Sequence, residues 1–366
     1  MSDANEPGST RASRWRKALN YGAIGLALAF LALTVSNASW LAPDPNGRVK
    51  LIAHRGVYQL FDQTGLERDT CTATRIEPPV HDYLENTVRS MQQAQKLTAQ
   101  MVEIDNAPTA DGRIAVFHDW TLDCRTDGKG ATRDLTMAEL KALDVGHGYT
   151  ADGGKTFPFR GKGVGAMPAL EEALAALPRT PILFNFKSKD PAEADLLARL
   201  LRASGRDVER IGDGFYGDPA PVERIARHFP KAWAWSKEGA RACSEDYVML
   251  GWSGYLPESC RGGTMIVPLN YQWPFWGWPN RLIARMEAAG GRVLMVGAQG
   301  DDAAPMGISL PEQLGEVPSS FNGYLWVEDI WTVGPALRPG RDRRTNAQAV
   351  AADEGLERRR ARMDAE

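Results

Sequence analysis

The chain has 366 residues, of which 43% are hydrophobic and 24% charged, enough for one large domain or two small ones. Its formal net charge of −3 carries no basic excess, so no nucleic-acid partner is expected.

Residues 1–20 are a polar tail with Arg11, Arg14, Arg16 and Lys17, expected to lie in the cytoplasm. The apolar run Tyr21–Val35 follows, and residues 21–42 together reach the length of a membrane span, roughly 20 residues. A basic flank ahead of an apolar run predicts export of the rest, to the periplasm or the extracellular side. Ser36-Asn37-Ala38 would also serve as a cleavage site, which would release the protein, but Trp40 suits a membrane interface and an uncleaved anchor is expected. The turn-rich PDPNG at 43–47 leads into a folded domain over 48–340.

Within that domain short apolar runs alternate with helical patterns. Strands are predicted at 49–54, 101–106, 114–118, 182–187, 232–236, 264–269, 293–297 and 324–328. Helices are predicted at 87–97, 135–143, 168–177, 191–203, 222–228 and 279–289. About eight strands joined by helical crossovers predict an α/β fold, a TIM (β/α)8 barrel. An open doubly wound sheet would bring a Gly-rich phosphate loop after the first strand, and none is present. Residues 341–366 are charged and poor in large apolar groups, which predicts a solvated, flexible tail.

The chemistry-bearing residues sit at the ends of these strands. His54-Arg55 closes the first, Glu103 and Asp105 lie two apart on the second, His118-Asp119 ends the third, and Asn185 and Lys187 end the fourth. In a parallel barrel such ends converge on one mouth. Two carboxylates on one side of a strand repel unless a cation lies between them, and oxygen ligands favour Ca2+ or Mg2+. Two histidines supply a general acid and base, and Arg55 and Lys187 supply cations for a phosphate.

Cys71, Cys124, Cys243 and Cys260 contain no CxxC pair, so zinc is not expected. An exported chain would pair them; of the three possible connectivities, sequence proximity favours Cys71–Cys124 and Cys243–Cys260. The eleven tryptophans include Trp273, Trp276 and Trp278, for which core packing is the expected role, with a ligand or membrane surface as the alternative.

The segments LIAHRG (51–56), LENT (84–87), VEIDNAPTADGRIAVFHDWTLD (102–123), MPALEEAL (167–174) and ILFNFKSK (182–189) resemble the glycerophosphodiester phosphodiesterase family. The resemblance implies a TIM barrel that hydrolyses glycerophosphodiesters to an alcohol and sn-glycerol 3-phosphate. It implies His54 and His118 as the acid/base pair, and Glu103, Asp105 and Asn185 as ligands of Ca2+ or Mg2+. It also implies Arg55 and Lys187 as phosphate-binding groups with Glu85 beside them. It further implies attack by the substrate's own glycerol 2-hydroxyl, through a cyclic phosphate. Two features depart from the family. Asn185 stands where a Glu is usual, predicting weaker metal affinity. The insert 57–83 is longer than usual and is expected to arch over the mouth as a lid, tied there by Cys71–Cys124. A phospholipase D-like enzyme acting on intact or lyso-lipids, and an inactive barrel acting as a binding protein, are the competing readings.

Overall fold

The computed structural model describes residues 8–67, 70–300 and 307–363. The first seven residues of the expected tail, two residues of the expected lid and the last three residues of the chain lie outside the described residues. The strands are β1 Lys50–Ala53, β2 Met101–Pro108, β3 Ile114–Val116, β4 Ile182–Phe186, β5 Gly214–Gly217, β6 Trp233–Ser236, β7 Thr264–Pro268, β8 Arg292–Val296 and β9 Tyr324–Val327. Eight of them pair in the order β6-β5-β4-β2-β1-β9-β8-β7, every neighbour parallel, forming a nearly closed α/β barrel of the TIM type.

The barrel has a seam between β6 and β7, which share no ladder. Trp233 Nε1 donates to Thr264 Oγ1 across it at 2.8 Å. The Ser244 hydroxyl, from the helix Lys237–Leu250, accepts from Ile266 N and donates to Ile266 O, both at 2.9 Å. It thereby satisfies backbone groups that a neighbouring strand would otherwise have to meet.

Two strands depart from the sequence expectation. β3 is not a barrel stave; it folds back antiparallel on β2 through Asn106↔Val116. β5 was not predicted, because Gly214-Phe215-Tyr216-Gly217 has no apolar run. Its glycines are required by packing. A Cβ on Gly217 would lie 2.6 Å from Phe186 O, and φ there is +148°, where side chains are strained.

Side-chain alternation builds the site. Val102 and Ile104 of β2 face the surrounding helices, and Met101, Glu103 and Asp105 face the barrel interior. Ile52, Met101, Leu183, Leu294 and Trp233 fill the lower interior, which leaves the charged layer at the mouth. A second apolar cluster covers one side of that mouth. Tyr58, Phe61, Ala73 and Ile76 of the insert pack there with Phe117, Leu122, Tyr149 and Phe159. Disulfides join Cys71 to Cys124 and Cys243 to Cys260.

Residues 341–366, expected as a solvated tail, instead include the helix Asn346–Met363, which buries Ala352 and Leu356. Arg359 docks it, 3.1 Å from both Glu77 and Asp329. Composition hid this because the helix is held by ion pairs more than by apolar groups. Arg359→Ala takes the cation from buried Asp329 and leaves Glu77 with Arg362 alone, and is expected to lower the unfolding free energy by about 3 kcal/mol in urea titration. An unchanged midpoint would show that the docking adds no stability.

At the other end, Gly8–Ser36 is one helix. Its stretch Ser13–Ser36 is long and apolar enough to cross a membrane and is covered by no other part of the chain. Asn37 fastens its end to the barrel, donating to Trp252 O and accepting from Arg285, both at 2.7 Å.

Candidate active site

The HRG turn after β1 is conformationally demanding. Arg55 has φ +56° and Gly56 φ +81°. A Cβ on Gly56 would stand 2.3 Å from Ser90 Oγ, so only glycine fits. Asn86 is also left-handed, with φ +58°. Non-glycine residues in this region carry strain of about 1–3 kcal/mol and cluster at functional sites. Here the strain turns the Arg55 N–H onto Glu103 Oε2, at 2.9 Å.

Glu103 and Asp105 are fully buried. Glu103 Oε1 accepts from the Tyr216 hydroxyl at 2.7 Å. Asp105 accepts from Asn185 Nδ2 on one oxygen and Asn86 Nδ2 on the other, each at 2.8 Å. Lys187 Nζ lies 3.4 Å and Arg55 Nε 3.7 Å from the same carboxylate. Burial works against its charge, yet Lys187, His118 and Arg55 hold Asp105 well below the usual carboxylate range. Burial and the neighbouring Asp105 push Glu103 up.

This corrects the expectation of a Ca2+ or Mg2+ site at Glu103, Asp105 and Asn185. Among the described residues no group of three His, Cys, Asp or Glu is arranged to hold a metal ion. The donor set does not fit one. Asn185 turns its amide nitrogen toward Asp105, both carboxylates are occupied by protein donors, and the charge of Asp105 is met by Arg55 and Lys187.

The two histidines have opposite surroundings. His54 Nδ1 donates to Glu328 Oε2 at 2.5 Å, and the same oxygen accepts from the Tyr58 hydroxyl of the insert. Burial disfavours an imidazolium here, but Glu328 and Glu103 outweigh it and raise His54 above its ordinary value. Burial likewise opposes charge on Glu328, yet His54 and the Tyr58 hydroxyl hold it down to about 2. His118 Nδ1 donates to Asp119 Oδ1 at 2.7 Å, leaving Nε2 free to accept a proton. Burial, Arg55 and Lys187 lower His118 to about 4.

The structure thus gathers His54, Arg55, Glu85, Glu103, Asp105, His118, Asn185 and Lys187 at one end of the barrel. Arg55 Nη1 also pairs with Glu85 Oε1 at 3.0 Å. The insert contributes Tyr58. His81 stays outside, packed against Tyr83 and Trp331 and lowered to about 4 by burial. Sequence reasoning missed Tyr58, Asn86, Arg125, Tyr216 and Lys237, whose Nζ stands over the Tyr216 ring at 6.0 Å. Asn86 sits inside the LENT segment and could have been found there; Tyr216 lay on the unrecognised β5.

Residues 79–212 match the model of the glycerophosphoryl diester phosphodiesterase family. This stretch of the chain is similar to that family. A glycerophosphodiester phosphodiesterase of Bacillus subtilis is 34% identical over 153 residues, 40% of this chain and 42% of the relative. The human glycerophosphodiester phosphodiesterase 1 is 39% identical over 77 residues, 21% of this chain and 23% of that protein. The chain therefore aligns with less than half the length of these curated family members. The fold extends further. The glycerophosphoryl diester phosphodiesterase domain of a Mycobacterium tuberculosis protein superposes with a TM-score of 0.55 at 16% identity, covering 81% of this chain and all of that one. An Oleispira antarctica phosphodiesterase, solved with its product sn-glycerol-3-phosphate, gives a TM-score of 0.50 at 17% identity, covering 82% of this chain and 99% of that one. The matched residues carry Glu85, Glu103, Asp105, His118, Asn185 and Lys187 of the mouth; His54 and Arg55 precede them.

Proposed function

We propose that this chain is a phosphoric diester hydrolase that cleaves glycerophosphodiesters to an alcohol and sn-glycerol 3-phosphate. The observation that carries the reading is a pair of imidazoles at one mouth beside Arg55 and Lys187, one bonded to Glu328 and shifted up, the other bonded to Asp119 and shifted down. Groups pushed apart in this way are suited to act as acid and base. The match of residues 79–212 to the family model and the names of the similar proteins support the substrate class.

In the mechanism proposed, neutral His118 takes a proton at Nε2 from the glycerol 2-hydroxyl, whose oxygen bonds to phosphorus. The bond to the head-group oxygen breaks, and that oxygen takes the proton from His54 Nε2. Neutral His54 then deprotonates water, which opens the cyclic phosphate, and His118 returns its proton to the 2-oxygen. Glu328 fixes the His54 tautomer and stabilises its imidazolium; Asp119 orients His118. Arg55 and Lys187 attract the phosphoryl oxygens, with Glu85 holding the Arg55 guanidinium. In this reading the domain occupies 48–340, the insert 57–83 walls the mouth, and the exposed apolar N-terminal helix anchors the domain outside the cytoplasm.

A second reading, action on a lipid-bearing diester, draws on Trp273, which is 82% exposed on the loop after β7. Trp276 and Trp278, in contrast, pack against the core. One assay separates the readings: release of glycerol 3-phosphate from glycerophosphocholine and glycerophosphoglycerol, and of lysophosphatidate from lysophosphatidylcholine. Turnover of the soluble diesters is the expected result. Turnover of the lysolipid alone would favour the second reading, and turnover of none would sink both.

A further inference from the structure

The insert 57–83 and the loop after His118 meet at a buried guanidinium that the mechanism above does not use. Arg125 is 2% exposed. Its Nη1 lies 3.4 Å from Asp119 Oδ2, the carboxylate that orients His118. Its Nε lies 3.2 Å from Glu85 Oε1, the oxygen that also holds Arg55. Arg125 Nη2 donates to Thr72 Oγ1 of the insert at 2.8 Å, and its guanidinium stands 5.8 Å from the Tyr149 ring. Thr72 follows Cys71 and Arg125 follows Cys124, so the disulfide joins the residues immediately preceding this hydrogen-bonded pair. Arg125 thus pairs with the carboxylate of the histidine and with the carboxylate of the phosphate-binding arginine, next to a covalent strut between the insert and the loop after His118.

We infer that Arg125, held in place by Thr72 and the Cys71–Cys124 disulfide, is a positioning residue that aligns His118 and Arg55 through Asp119 and Glu85. The inference rests on the reading of the site given above. Glu85 is buried and Asp119 half-buried, and Arg55 alone would have to serve Glu85 while still meeting Asp105. Without Arg125 the like charges of Glu85 and Asp119 lose the cation they share and repel, carrying His118 and Arg55 with them. Lysine does not replace it, because a single ammonium cannot meet two carboxylates and a hydroxyl in three directions from one plane. The long insert then has a mechanical purpose: it supplies the far end of the strut.

The test is a cycle on the full chain: Arg125→Ala, Arg125→Lys, the pair Cys71→Ser with Cys124→Ser, and their combination with Arg125→Ala. Turnover of glycerophosphocholine and binding of glycerol 3-phosphate by calorimetry are read well below each variant's melting temperature. Arg125→Ala is expected to lower kcat about 100-fold, the scale of an ångström-sized misplacement, with KM within about threefold. Arg125→Lys recovers only a small part. The Cys pair is expected to lower kcat about tenfold, and to cost nothing further once Arg125 is absent, because both act along one path. Losses that multiply in the combined variant, or a kcat for Arg125→Ala near wild type, would overturn the inference. If Arg125→Ala does not fold, the Cys pair decides it: unchanged kcat and unchanged binding would overturn it. A wild type that binds glycerol 3-phosphate without turning over any diester would sink the hydrolase reading. The strut would then stand or fall on whether these substitutions weaken binding.

Discussion

Replacing His118 by alanine is expected to lower kcat/KM about 1,000-fold, in the middle of the range for loss of a positioned base. His54→Ala is expected to cost as much, and the double variant little more, because either loss stops the same proton relay. The pH profile of the wild type provides the check. His118 must be neutral, so the rate rises as the pH passes its lowered value of about 4. His54 must be protonated, so the rate falls as the pH passes a value raised above the ordinary 6.5. The bell lies between these limits, and His118→Ala removes its acid limb. A wild-type rate that holds steady up to about pH 10 would take the proton-donor role away from His54.

The second large effect concerns stability. Asp105 is fully buried and is met by two amide donors and the cations of Arg55 and Lys187. Asp105→Asn keeps the shape but leaves Lys187 without its carboxylate and Arg55 with Glu85 alone, and breaking a buried charge cluster this way costs about 3–5 kcal/mol. Urea unfolding measures it. Adding Lys187→Gln to Asp105→Asn removes one stranded charge and is expected to restore part of the stability while turnover stays low. A single variant as stable as wild type would show that the cluster is not held by charge.

The barrel and the gathering of its polar mouth were legible in the sequence because both depend on strong periodicities. Apolar strands announce themselves when they are runs such as Ile182–Phe186, and Glu103 and Asp105 share a face because a strand alternates. β5 was invisible for the opposite reason: its glycines make room for Phe186 and Leu183, so it carries little apolar signal. The count of eight was reached only because Ile114–Val116, a hairpin arm, stood in for it. The disulfide pairs followed from proximity and are present. The cation expectation failed because it considered the acidic residues alone. Arg55 and Lys187 were read as substrate ligands, whereas in the fold they first balance Asp105. Arg125 and Tyr58 carried no motif, since their roles arise only where the insert meets the strand-end loops.

The unladdered junction of β6 and β7 has a consequence for how the molecule breathes. One indole–hydroxyl bridge and one serine stand where other neighbouring staves share a continuous row of peptide contacts. Partial opening is expected to begin where the fewest interactions must be given up. Because Tyr216 of the adjoining β5 stacks on Trp235 at 5.0 Å and donates to Glu103, such an opening reaches the charged layer directly. The weakest wall of the molecule and its most highly charged compartment are one stave apart.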